Sequence, residues 1–274
     1  MSVKLEFGLA FILDMYFNEW LACLPVGFID ANRRVAQKIE AWYLRDLNME
    51  SAYKHAVQNL AKPNSLILDA GAGKRSFYAR SGLRIVGADL HTSDLVQNPN
   101  IEYAVAANLA VDFPFRPETF DAITACYFIE HIPDSEEFIR NAARVLKPAG
   151  RLFLLFPCRY APFAVINRII PNRWAVGLLN RFFRDSHGGF PATYSNCSPH
   201  KMRKVLERNG FRIVLTKVCH YQAFYYSAFL PLYLLNLAYD GITRALKIEF
   251  LSSSGLIVAE RTGHESRERL AGPP

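Results

Sequence analysis

The sequence predicts an α/β fold in which a mostly parallel sheet is covered by helices on both faces. Two patterns carry that expectation: short, continuous apolar runs that end in polar residues, and helical stretches placed between them. The composition agrees. With 51% hydrophobic and 21% charged residues, the 274-residue chain is not a disordered one and can bury a sizeable core.

The elements follow in chain order. Met1–Leu24 is apolar, but Asp14, Asn18 and Glu19 interrupt it, only Lys4 precedes the apolar run, and no small-residue cleavage site follows. It therefore reads as an amphipathic helix carrying Leu5, Leu9, Ile12, Leu13, Tyr16, Trp20 and Leu24 on one face. Asp30 is the expected N-cap of a helix with Val35, Ile39, Trp42, Tyr43 and Leu47 on one face, and Pro63 closes a helical segment from Glu50 to Lys62. Residues 1–63 are thus expected to form an N-terminal helical cap. Beyond them, Ser65–Ala70, Arg84–Asp89, Phe120–Tyr127 and Arg151–Phe156 read as buried strands, with Ile101–Ala106 a weaker one. Ser135 to Leu146 is a helix that Pro148 and Gly150 punctuate. Ser198 starts another, with Pro199 in its first turn, Val205 and Leu206 facing inward, and Asn209-Gly210 ending it. Phe211–Cys219 and Gly255–Glu260 complete the strands.

Tyr221–Tyr239 is nineteen residues without a formal charge, close to the roughly 20 needed to cross a bilayer. Gln222, Ser227, Pro231 and Asn236 weaken a spanning assignment. So does its position between two strands expected in one sheet, which must lie on the same side of any membrane. A buried helical cap, a dimer contact and a shallow membrane-seated hairpin remain open.

Charge is unevenly spread. The chain has 32 Lys+Arg against 25 Asp+Glu, a formal +7. Residues 158–219 alone carry eleven basic and two acidic side chains, so the positive excess sits there and marks a candidate surface for an anionic partner. Five scattered cysteines without a C-x-x-C pair argue against a disulfide framework or zinc knuckle and suit a reducing compartment. No metal-ligand spacing occurs among the seven histidines, and no metal is expected.

The sharpest site is Leu66-Ile-Leu-Asp-Ala-Gly-Ala-Gly-Lys-Arg-Ser-Phe77. A buried strand ends at Asp69 and turns through Gly71 and Gly73, where glycine permits positive φ and close approach of a ligand. Twenty residues on, Asp89 ends the second strand, the spacing at which a carboxylate meets ribose hydroxyls in a nucleoside-binding βαβ unit. Ser76 stands where a dinucleotide fingerprint has its third Gly or Ala, which disfavours a pyrophosphate. The acid at Asp69 instead suits a cationic group.

Residues Leu68-Asp-Ala-Gly-Ala-Gly73, Gly87-Ala-Asp89, Phe113-Pro-Phe115 with Phe120-Asp121, Phe128-Ile-Glu-His-Ile132 and Arg144-Val-Leu-Lys-Pro-Ala-Gly150 together resemble the class I S-adenosylmethionine-dependent methyltransferases, in the group similar to ubiquinone/menaquinone methyltransferases. The motifs cover about a third of the chain. The resemblance implies a Rossmann-like, seven-stranded, mostly parallel sheet with its last strand antiparallel, an N-terminal helical cap and two lid insertions. The methyltransferase domain would span 64–262, with a basic, aromatic lid at 158–198, an apolar helical insertion at 221–247 and a flexible tail at 263–274. It also implies S-adenosyl-L-methionine as cofactor. Asp69, Ala70, Gly71, Gly73 and Lys74 would hold its methionine end, Asp89 its ribose, and Leu90, Asn108 and Leu109 its adenine, while Tyr127 and Phe128 would border the methyl group. Arg75 departs from the commonest third glycine, and Asn108 stands where the family usually has an acid.

Methyl transfer is an in-line displacement that depends on alignment and a dry pocket, and an oxygen acceptor must also lose a proton. His131 and Glu130 are the candidate catalytic pair, with a bracing role as the alternative. His187, Tyr194 and Arg159 are candidate acceptor contacts. The expected acceptor is a small or lipid-like molecule, methylated at oxygen or carbon, in a cytoplasmic protein; an anionic group on the acceptor and contact with the inner face of a membrane through 221–239 are open readings. Nucleic acid is disfavoured, because Ala125-Cys-Tyr-Phe128 replaces the motif usual in base-methylating enzymes. An RNA methyltransferase using 158–219 and a non-catalytic S-adenosylmethionine-binding or membrane adaptor protein are the competing readings.

Overall fold

Alternate residues of a strand point to opposite faces of its sheet, and here both faces are apolar. The computed structural model describes residues 26–43, 48–78, 82–169 and 192–263. The expected helix over Met1–Leu24 lies outside them, as do Leu47, His187, and the lid residues Arg173, Trp174, Arg181, Phe182, Phe183 and Arg184.

Seven strands form one sheet: β1 (Leu66–Ala70), β2 (Arg84–Asp89), β3 (Tyr103–Ala106), β4 (Phe120–Cys126), β5 (Leu146–Pro157), β6 (Phe211–Cys219) and β7 (Ser254–Arg261). Their order is β3-β2-β1-β4-β5-β7-β6. β1 to β5 pair in parallel, and β7 runs antiparallel to both its neighbours. Every expected strand is present; β2 and β6 keep the expected bounds and the others have shifted ends. β5 begins earlier than Arg151, because Phe120 pairs with Leu146 before the register shifts to Ala122 opposite Arg151. The Lys147-Pro-Ala-Gly150 stretch is therefore carried as an irregularity of the strand, with Ala149 in the left-handed region.

Leu68, Ile123, Leu152, Leu154 and Ile257 face one side of the sheet. They pack there against Phe138, Ile139 and Ala142 of α4 (Ser135–Val145) and Leu206 of α6 (Pro199–Arg208). Ile67, Ile85, Phe153, Leu155, Leu256 and Val258 face the other, against Tyr53 and Val57 of α2 (Met49–Leu60). Each such fully buried aliphatic or aromatic side chain contributes roughly 1.5–3 kcal/mol. The short helix α3 (Thr92–Leu95) follows β2, and α5 (Pro162–Ile169) follows β5.

A third, small cluster joins α1 (Val26–Tyr43) to α7 (Leu230–Ala245) around Ala36, Ala223 and Tyr233. Here the structure corrects an expectation. Asp30 is not an N-cap, since the helix is already formed at Val26, and it buries Ile29, Asn32 and Ala36 while Val35 is exposed. The packing partner chooses the face: Asn32 Nδ2 donates to Ala228 O at 2.9 Å and Tyr233 Oη to Ala36 O at 3.4 Å, which turns Val35 outward.

Asp134 caps α4, its Oδ1 accepting from Glu136 N and Glu137 N, both at 3.0 Å. Asp134→Ala removes those two acceptors from an exposed helix start. It should cost about 1 kcal/mol, read as a lower denaturation midpoint with unchanged m-value.

Candidate active site

Strand order reverses between β1 and β4, and in a parallel sheet the crevice at such a point is where ligands bind. Ala70 pairs with both Ala88 and Ala125, so β1, β2 and β4 end side by side. The chain leaves β1 through Gly71 at φ 72° and Gly73 at φ 48°. Gly71 N donates to Ala88 O at 2.8 Å, and a Cβ on Gly71 would overlap the ring of Phe128. Only a glycine fits between that ring and the turn.

Asp89 fastens the turn from the second strand. Its Oδ2 accepts from Gly73 N at 3.1 Å and its Oδ1 from His91 N at 2.9 Å. Each carboxylate oxygen has a second lone pair, so the group can still accept from a pair of hydroxyls. Leu90 is exposed beside it, and Lys74 lies 3.9 Å from Asp94. Ala107 N donates to Asp89 O at 3.0 Å, which brings the end of β3 to the same place. Asn108 is exposed there with its Oδ1 accepting from Ala110 N at 3.2 Å, whereas Leu109 is buried in the core and supports the loop from below.

Asp69 faces inward rather than into the crevice. Ser76 Oγ donates to its Oδ2 at 2.6 Å and Thr124 Oγ1 to its Oδ1 at 2.9 Å. Burial pushes its carboxyl up to about 6, against the opposing pull of those two hydroxyls. Ser76 is noted in the sequence only as a missing third glycine, and Thr124 is passed over, as is Asn98, whose Nδ2 donates to Ala72 O at 3.0 Å. A lone threonine inside the apolar run of β4 was the available signal.

Past β4, Tyr127 adopts a left-handed φ of 52° and sets its ring edge-on to Phe77 at 6.1 Å, while Phe128 tilts against Phe138 at 5.7 Å. The next residues form a single 3-10 turn, Ile129–His131. Glu130 is 4% exposed and its Oε2 has no hydrogen-bond partner; its Oε1 lies 3.8 Å from His131 Nε2. Burial pushes this carboxyl up to about 8. The Glu130 carbonyl accepts from Thr193 N at 2.8 Å and Tyr194 N at 3.0 Å. Tyr194 is buried, and Arg159 Nη1 reaches the Thr193 and Tyr194 carbonyls at 3.4 and 3.3 Å. Tyr225 also belongs to this neighbourhood and was not foreseen: it stacks on Phe163 at 4.5 Å, and Glu130 is among the groups that raise its phenol, after burial and Tyr194. His131, Glu130, Tyr127, Tyr194 and Arg159 are thus drawn together by the turn after β4.

Residues 43–216 match the family model described as a methyltransferase domain. A ubiquinone biosynthesis O-methyltransferase of Xanthomonas campestris is 30% identical over 112 residues, 36% of this chain and 46% of the relative. A ubiquinone/menaquinone biosynthesis C-methyltransferase of Vibrio parahaemolyticus is 35% identical over 112 residues, 35% of this chain and 42% of the relative. The chain thus spans less than half the length of these relatives. A solved structure from Thermotoga maritima, described as a SAM-dependent methyltransferase and possible histamine N-methyltransferase, aligns with TM-score 0.49 at 13% identity, covering 86% of this chain and 100% of that one.

The crevice fits S-adenosylmethionine in two respects. Gly71 lies against the Phe128 ring where a Cβ cannot fit, so the turn presents bare backbone there, and Asp89 keeps acceptor capacity for a ribose diol. Asp89→Ala should weaken S-adenosylmethionine binding about tenfold to a hundredfold in calorimetry, the loss expected of hydrogen bonds to a charged group. Gly71→Ala should abolish it while the far-ultraviolet dichroism is kept.

Proposed function

Since the chain belongs to the methyltransferase domain family over residues 43–216, we propose that it methylates a flat, lipid-like acceptor at oxygen or carbon, with Glu130 as the group that receives the acceptor's proton. One observation carries this: a buried carboxyl with an unpartnered oxygen stands beside an aromatic wall at the carboxyl end of β4. The similarity to quinone-biosynthesis methyltransferases supports an acceptor of that chemical class.

When bound, S-adenosylmethionine supplies an electrophilic methyl group. Asp89 and the Gly71–Gly73 backbone would orient it from one side of the crevice. Tyr127, Phe163 and Tyr225 would seat a planar ring and exclude water, which sharpens alignment and strengthens every charge–dipole contact within. Both phenols are unsuited to act as bases. Burial first, and then neighbouring acidic groups that include Glu130, push Tyr127 and Tyr225 well above the usual tyrosine range. Glu130 Oε2 is left to accept the proton, with His131 alongside to position the carboxyl. Arg159 and Tyr194 brace the turn that carries it, and an anionic group on the acceptor would meet Arg159. Cytoplasmic residence, with contact to the inner face of a membrane through residues 221–239, completes the proposal, because a quinol-like acceptor partitions into bilayers.

Cofactor turnover against hydroxylated isoprenoid-tailed and short-chain phenols tests the acceptor class. Labelled methyl in an RNase-sensitive fraction would instead favour RNA, and absence of any methylated product would favour a scaffold. The pH dependence tests Glu130. Its carboxyl titrates near 8 in the folded protein and near 4.5 in a free chain, so activity should rise with pH toward a plateau above that value. Glu130→Gln should lower kcat by roughly 10²–10⁴ and remove the inflection while leaving S-adenosylmethionine affinity intact. Stability should move the other way. The folded state holds the proton longer, so its contribution is present in acid and is lost as pH rises through the same window, and Glu130→Gln should flatten that slope.

A further inference from the structure

Helix α7 is built inside out. Its buried residues are Tyr233, Asn236, Asp240 and Thr243, at helical spacing on one face. The opposite face carries Leu235, Ile242 and Leu246, which are 68%, 59% and 66% exposed, flanked by exposed Leu232 and Leu234. Asp240 and Thr243 of the inward face are hydrogen-bonded, while the buried Asn236 Oδ1 has no partner. Asp240 Oδ2 accepts from Gln222 N at 2.8 Å and Ala223 N at 3.0 Å, and Thr243 Oγ1 donates to Tyr239 O at 3.0 Å. The outward leucines thus cannot turn inward without stripping Asp240 of its donors.

The geometry excludes a crossing. The helix has 16 residues, a length of about 24 Å at about 1.5 Å per residue, short of the roughly 30 Å hydrocarbon core. Among the described residues no helix is long and apolar enough to cross a membrane. Both ends of the insertion also return to neighbouring strands, β6 and β7. A helix so placed can lie flat on a membrane surface but cannot traverse it.

Charge indicates the kind of surface. Among the described residues, the exposed charged residues on α1, on α7 and in the turn after it are basic: Arg34, Lys38, Arg244 and Lys247. The acidic groups there are occupied or withdrawn. Glu40 accepts from Tyr221 Oη, Glu249 pairs with Arg203 at 2.6 Å, Asp240 is buried and Asp30 is half-buried. Lys247 follows Leu246 directly, and Arg34 and Lys38 lie on the helix packed against α7, so an anionic leaflet suits this pair of helices better than a second copy carrying the same charges.

We infer that the outer face of α7 docks on an anionic phospholipid bilayer, with Leu235, Ile242 and Leu246 seated at the acyl boundary and Lys247, beside Leu246, on the headgroups. The inference rests on the membrane contact proposed above and gives it a surface and a lipid chemistry. It also provides a route. The turn Ala223–Tyr226 hangs from Asp240 and presents Phe224 and Tyr225, their rings 4.0 Å apart and tilted by 33°, between α7 and the site. A lipid-borne ring leaving the bilayer there would meet Tyr225 first.

Flotation of the full chain with vesicles of phosphatidylcholine, alone or mixed with phosphatidylglycerol, tests this without turnover, so its failure is separable from failure of the methyl-transfer reading. The expected result is flotation with the mixed vesicles, weakened roughly tenfold or more in Leu235→Glu/Ile242→Glu, with unchanged melting temperature and a monomeric mass by light scattering. Should the double variant not fold, Leu235→Ser is read the same way. No flotation of the wild type overturns the inference, as does flotation that the variants leave unchanged. So does a wild-type dimer that the variants dissociate, which would assign the face to a second copy. A lower melting temperature in the variants without flotation would assign it to the chain's own residues 1–25.

Discussion

A chain of hydroxyls ending on one buried carboxylate holds the crevice together. Tyr78 Oη meets Thr124 Oγ1 at 2.8 Å, and Thr124 in turn donates to Asp69 at 2.9 Å, which fixes Tyr78 as donor to Thr124. Ser76 donates to the other oxygen of Asp69. Three segments are thereby locked: the end of β1, the segment leading out of the glycine turn, and the middle of β4. Burial costs the carboxyl more than the two hydroxyls return, which is why it sits near 6 rather than near the free value. Rigidity at the cofactor crevice is thus obtained at the expense of global stability.

How much of this is legible in the sequence depends on how local each signal is. The strands and the glycine turn are readable because apolar runs and positive-φ requirements are properties of a few adjacent residues. Asp89 is readable because the βαβ unit fixes its distance from the turn. Ser76, Thr124 and Asn98 are not, since each acts on a residue 7, 55 or 26 positions away, and no local pattern encodes that meeting. Tyr225 is hidden for the same reason. It sits in an apolar stretch whose composition fits a buried cap or a membrane face equally well. Only the fold reveals that one side of α7 is polar and turned inward.

The basic segment shows a different limit. Counting charge locates the excess at 158–219, but a guanidinium can be used for support as readily as for recognition. Arg159 and Arg168 reach backbone carbonyls of the lid, Arg203 forks onto Glu249, and Arg212 pairs with Glu260. Among the described residues, much of the positive excess therefore holds loops and strands in place. Arg159, the cation proposed to meet the acceptor, serves the Glu130 turn through the Tyr194 carbonyl.

The outermost strands of the sheet have a bearing on solubility. The segments around Leu152–Phe156 and Leu256–Ala259 are the most apolar and strand-prone in the chain, and both are interior. The edges are guarded instead. β3 has four residues, too few to template another chain, and β6 carries exposed Arg212 and Lys217 and a register irregularity near Ile213. A folded molecule thus offers poor seeds for fibrillar growth, and the hazard is confined to the interval before β7 slots between β5 and β6. Because β7 follows β6 in the chain yet sits between β5 and β6 in the sheet, that interval lasts until residues 254–261 have been made.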